Sequence, residues 1–115
     1  MPVRPLRRAV LAALVAACGG AHADSVERGR RLLAQYQCGS CHGIPGVPSA
    51  GGKLASSLEG FGRRSYIAGR IANRQDNLAR WIEQPKAFVA DTAMPSMGVS
   101  PADAREMAAY LLELK

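Results

Sequence analysis

Cys38-Gly39-Ser40-Cys41-His42 constrains this chain more than any other stretch. Two thiols stand two residues apart, and an imidazole follows the second directly. Anything that engages all three must be gripped from one short segment, and the fold has to present that segment. A thioredoxin-like redox pair needs a strand before the motif and a parallel sheet around it, and no convincing strand is legible. A structural zinc site needs four ligands. Once the leader described below is removed, His42 is the only histidine left, so the two thiols and His42 lack a fourth soft partner. A plain disulfide across two residues is the blandest option in an oxidising compartment. It gives neither His42 nor the glycine-rich stretch after it a purpose.

The pattern that uses both thiols and the imidazole is covalent attachment of a c-type haem. The thiols of Cys38 and Cys41 each add to one vinyl group, giving two thioether links, and His42 is held where its imidazole binds the iron axially. One haem c, with its iron, is expected per chain. Without a second histidine, the other axial ligand has to be a methionine or a lysine. Met107 lies on the apolar stripe of a helix and reads as core. Met94, in Thr92-Ala93-Met94-Pro95, sits in a loop and has little reason to be buried unless something binds it. Met97, three residues on, is the runner-up.

The first residues read as an export signal and not as part of the fold. Arg4, Arg7 and Arg8 form a basic head, Ala9 to Ala17 is an unbroken apolar run, and Gly19-Gly20 should break any helix. Ala21-His22-Ala23 then offers small residues where a signal peptidase reads. The apolar run is too short for a bilayer, which takes roughly 20 residues. Two units follow: a signal peptide at 1–23 and one domain at 24–115, located in the periplasm. Val15-Ala16-Ala17-Cys18 also resembles a lipobox, so lipidation at Cys18 competes with cleavage after Ala23 and would anchor the protein to a membrane. Arg7-Arg8 hints at a twin-arginine signal, but no further match follows.

Without those 23 residues the chain keeps 92, with 12 Lys and Arg against 9 Asp and Glu, and the formal charge falls from +6 to +3. The basic residues are scattered, apart from the pairs Arg30-Arg31 and Arg63-Arg64, and not interleaved with aromatics, which speaks against nucleic acid. A mild positive charge suits an acidic docking face on a protein partner, or an anionic membrane surface. Six aromatic side chains make a modest core, and domains this small often lean on a cofactor.

Four helical segments are predicted. Ser25 caps the first, with Val26, Gly29, Leu33 and Tyr36 at helical spacing. Gly29 costs about 1 kcal/mol against alanine inside a helix, which fits a close approach by a second helix. Ser65 to Arg70 is a short second helix. Asn73 and Asp76 cap a third, with Leu78, Trp81 and Ile82 on one face and Pro85 ending it. Ser100, Pro101 and Asp103 open the last, whose stripe is Ala104, Met107, Ala108, Leu111 and Leu112. From Gly43 to Gly62 run six glycines and two prolines with little periodicity. So long a loop needs a job, and wrapping an object that is not polypeptide is one.

On these residues the chain resembles the class I cytochromes c over 25–115. The resemblance implies an all-α cytochrome c fold, with about four short helices wrapped around one covalently bound haem and the terminal helices packed together. It also implies His42 and Met94 as axial ligands, because Pro85 precedes Met94 by nine residues as in the family segment and Met97 breaks that spacing. Tyr110 and Leu111 fall where the last helix packs against the first, near Gly29. Arg63 is similar to a family arginine near a haem propionate, Thr92 to a threonine that bonds a propionate, and Trp81 to an aromatic close to the axial methionine. Against these stand a solvated surface charge for Arg63 and simple core filling for Trp81. One departure stands out. The family's Gly-Pro before the Leu58 position is absent, and the stretch reads Ala55-Ser56-Ser57-Leu58. A main-chain carbonyl such as that of Ser56 can still accept from His42 Nδ1, on a less rigid loop.

The implied function is transfer of single electrons between periplasmic redox proteins, by a carrier that is not itself an enzyme. Two alternatives remain: a haem subunit of a dehydrogenase or oxidase complex, and a haem sensor or peroxidase with an open sixth position. The carrier is expected as a monomer or a complex subunit.

Overall fold

Helix α4 (Pro101–Glu113) begins as its sequence asks. Ser100 is extended, its hydroxyl accepts from the Asp103 amide at 3.1 Å, and Pro101 occupies the first turn. The stripe that follows is the centre of the core: Ala104, Met107 and Ala108 are fully buried. The structure, a computed structural model, describes residues 4–115, with their side chains from Gly19 onward. The arginine side chains of the expected basic head and the side chain of Cys18 lie outside the described residues.

Helix α1 (Arg4–Gln35) packs along α4. The contact is closest at Gly29, where a Cβ would stand 1.9 Å from the Glu106 carbonyl oxygen, so only glycine lets the two backbones approach this far. Polar bonds flank that point. Ser25 Oγ donates to Glu106, and Tyr36 Oη donates to Asp103 Oδ2 at 2.7 Å. Two expectations change here. Ser25 does not cap α1 but lies inside it and bonds across to α4. Gly19 and Gly20 do not break the helix either; both are exposed with nothing within 4 Å, so they bring only a propensity cost that the helix bears.

Tyr66 to Ala72 forms a hairpin where a short helix was predicted. Strands β1 (Tyr66–Ile67) and β2 (Ile71–Ala72) pair antiparallel, Tyr66 opposite Ala72 and Ile67 opposite Ile71. Ala68 and Gly69 both take positive φ, 50° and 70°, the conformation of a type I′ two-residue turn. Tyr66 is exposed and Ile67 buried, a period of two that competes with the helical reading of so short a segment.

Helix α2 (Gln75–Glu83) buries Leu78, Ala79, Trp81 and Ile82 and also lies on α4. Asn73 does not cap it; Arg74 stands at that position and makes no side-chain cap. The Asn73 amide instead donates to the carbonyls of Phe61 and Arg64, at 3.1 and 3.0 Å, tying the loop before the hairpin to the start of α2. Pro85 does end α2, and it opens the four-residue helix α3 (Pro85–Phe88) in the same step. Among the described residues the architecture is mostly helical, with one very small sheet, and is compatible with the all-α fold that the resemblance implies. No helix among the described residues is long and apolar enough to cross a membrane.

Candidate functional site

Just after α1 the chain turns through Gln37, in the left-handed region at φ 58°, and enters a single 3-10 turn over Cys38–Ser40. Amides of Cys41 and His42 both bond back to the Cys38 carbonyl, at 3.2 and 3.0 Å, so the five motif residues fold as one compact unit. Both motif cysteines are half-buried and form no disulfide. Burial pushes the Cys38 thiol above its ordinary pKa. A redox dithiol gains from the opposite shift, toward the thiolate. No group of three or more His, Cys, Asp or Glu among the described residues is arranged to hold a metal ion, which leaves the zinc reading without a ligand set.

The glycine-rich loop folds back over this unit. Gly52 donates to the Gly39 carbonyl at 2.9 Å, and Ala55 to the Cys41 carbonyl at 2.9 Å. A Cβ on Gly39 would stand 2.5 Å from Ala50, and one on Gly52 would stand 2.6 Å from the backbone of Ser40 and Cys41. These two glycines are there for backbone-to-backbone contact. From the far side Tyr110 Oη on α4 donates to the Pro45 carbonyl at 2.7 Å. Tyr110 therefore braces the loop, whereas the residues beside Gly29 are Glu106 and Met107.

His42 is oriented by one bond. Its Nδ1 lies 2.6 Å from the Ser56 carbonyl oxygen. A carbonyl only accepts, so Nδ1 carries the proton, and in the neutral ring Nε2 carries the lone pair. This is the tautomer that an axial iron ligand needs, with its second nitrogen engaged by an outer partner. Two thiols and one such imidazole match what a covalently bound haem requires of a donor set.

The methionines separate by environment. Met107 is fully buried in the core, Met94 is half-buried against it, and Met97 is 47% exposed. Met94 is held by its amide, which donates to Thr92 Oγ1 at 3.3 Å, and the loop is tied down again where Ser96 Oγ donates to the Glu83 carbonyl at 2.8 Å. Trp81 is buried at 9% exposure. Arg63 is exposed at the end of a 3-10 turn (Phe61–Arg63), its guanidinium folded back toward Gly60. The neighbouring Arg64, to which sequence reasoning gave no role, reaches the Ser57 carbonyl at 2.6 Å and lies over the Phe61 ring. Its only signal in the sequence was its place in the Arg63-Arg64 pair.

Comparison with known proteins gives the family. The family model described as Cytochrome c matches residues 26–115, which include the motif, the loop, α2, Met94 and α4. Cytochrome c oxidase subunit 2 of Alkalihalophilus pseudofirmus is 33% identical over 89 residues, covering 76% of this chain and 25% of the relative. The chain thus spans about a quarter of that relative's length. No solved structure matches the chain significantly.

Proposed function

Because the chain belongs to the cytochrome c family, and so carries covalent haem c and serves electron transfer, we propose that it is a one-electron carrier with His42 and Met94 as the axial ligands. The observation that carries this reading is the bond from His42 Nδ1 to the Ser56 carbonyl, directly after Cys38 and Cys41 on the same compact turn. When bound, haem supplies a one-electron change at iron, and methionine ligation favours the ferrous state and raises the potential relative to two histidines.

The chain's own residues do the rest. Cys38 and Cys41 fix the group on one rigid turn, so that His42 needs no further search for its position. The Ser56 carbonyl holds the proton on Nδ1 and so would leave Nε2 to the iron. Half-burial of Met94 supports it over the more exposed Met97, as does the nine-residue spacing from Pro85. Thr92 and Arg63 are assigned to the propionates and Trp81 to the wall beside Met94. Substituting Met94 by alanine should abolish the sulfur-to-iron absorption band of the oxidised protein, and Met97→Ala should leave it intact. The reverse result would move the ligand to Met97. Ready binding of carbon monoxide by reduced native protein at neutral pH would favour an open sixth position, as in a sensor or peroxidase.

Residues 1–23 act as the export signal in this reading, with cleavage after Ala23 and function in the periplasm; lipidation at Cys18 is the competing outcome. Partners are redox proteins with an acidic docking face, met by the net charge of +3 left after cleavage. A second reading, a haem-bearing part of an oxidase complex, is favoured by the similarity to an oxidase subunit. Purification as a lone monomer would argue against it.

A further inference from the structure

The His42 acceptor sits on an unusually unprotected piece of chain. Lys53 to Ser57 are all exposed, and no proline stiffens them. Water competes for every main-chain group there, and an exposed loop opens easily. Even so, the Ser56 carbonyl has to stay within 2.6 Å of His42 Nδ1. Something else must hold this loop in place.

We propose that Arg64 is the positioning residue for His42, acting through the Ser56–Ser57 backbone. Its Nη2 donates to the Ser57 carbonyl at 2.6 Å. The amide of the same peptide unit, that of Leu58, donates to the Gly43 carbonyl at 2.8 Å. The peptide unit that follows the His42 acceptor is therefore gripped at both its oxygen and its nitrogen. Upstream, Ala55 bonds to Cys41 at 2.9 Å, so the Ser56 carbonyl is bracketed on either side.

Arg64 is itself anchored. Its guanidinium lies 5.1 Å from the centroid of the Phe61 ring, and Phe61 is 6% exposed. Its own carbonyl accepts from Asn73, whose amide also holds Phe61. A planar, permanently charged group stacked on a buried ring loses little further freedom when it bonds. The charge-assisted bond is correspondingly stronger than one between neutral groups. Where a proline would restrict the backbone directly, this chain restrains it from outside through one side chain.

The inference rests on His42 being the axial ligand. It is tested in the reduced haem-loaded protein by following exchange of the His42 Nδ1 proton by NMR, in native protein, Arg64→Gln and Arg70→Gln. Arg70 is an exposed arginine beside the hairpin turn and serves as the charge-matched control. With that charge-assisted bond lost, Nδ1 exchange in Arg64→Gln should be about tenfold faster. Core amides of α4 and the whole of Arg70→Gln should be unchanged. The haem potential of Arg64→Gln should also rise relative to Arg70→Gln, because a weaker Nδ1 bond makes His42 a poorer donor to ferric iron. Native exchange in Arg64→Gln, or equal acceleration of the α4 amides, would overturn the proposal. Failure of the axial reading is separately visible: the His42 ring protons would then lack the large ring-current shift of a haem ligand.

Discussion

At the scale of single residues, the site is governed by which groups can only donate and which can only accept. Ser56 offers a carbonyl, so His42 has one possible tautomer. Tyr36 offers a proton to Asp103, and that hydrogen bond, aided by burial, raises the phenol above the usual tyrosine pKa. The sign follows directly. A raised folded value means that the stabilisation is complete below the unfolded pKa and is lost as pH rises through the folded one. Unfolding by denaturant should therefore show a stability loss in the strongly alkaline range that is smaller in Tyr36→Phe. Equal alkaline slopes in the two proteins would refute this linkage. At this scale the sequence was informative about the motif and about Met107 as core, since both follow from local pattern. Arg64 was not legible, because its value comes from a loop and a ring that only the fold brings to it.

Among the elements, the contact of α1 with α4 matters most. Gly29 was legible as a close-approach position because a glycine inside an apolar helical pattern needs a packing reason. Its partner atoms, the Glu106 carbonyl and Met107 Cα, depend on the crossing point and were not. Gly29→Ala places a Cβ 1.9 Å from that carbonyl, and the obstacle is backbone, which cannot turn aside. The cost should be about 3 kcal/mol, the upper end for overpacking, outweighing the roughly 1 kcal/mol that alanine returns in helix propensity. A urea midpoint for Gly29→Ala as high as that of native holoprotein would show that the helices have room to separate. Caps divided similarly. Ser100 was readable because its bond is local, three residues on. Asn73 misled because an asparagine before a helix is a good cap by composition, and tertiary carbonyls claimed its amide first. The hairpin escaped notice because two residues per strand give periodicity too little length to register.

For the whole molecule, a small chain with six aromatic residues spends about a fifth of its mature length on a loop whose backbone folds over Cys38–His42. α1 and α4 both brace that loop: Arg30 of α1 reaches the Gly46 carbonyl at 3.2 Å, and Tyr110 of α4 reaches the Pro45 carbonyl at 2.7 Å. The fold class was legible because the motif, the Pro85-to-Met94 spacing and the last helix fall in order along one chain. The course of the loop was not, because it is held by backbone bonds that leave no side-chain pattern. What the account needs above all is that Cys38 and Cys41 hold haem covalently, and intact mass spectrometry of acid-extracted, denatured protein tests this directly. The account predicts one species, the polypeptide plus the mass of one haem, reduced to bare polypeptide in the double variant Cys38→Ser/Cys41→Ser. Bare polypeptide from the native protein, with the pigment released on extraction, would contradict it.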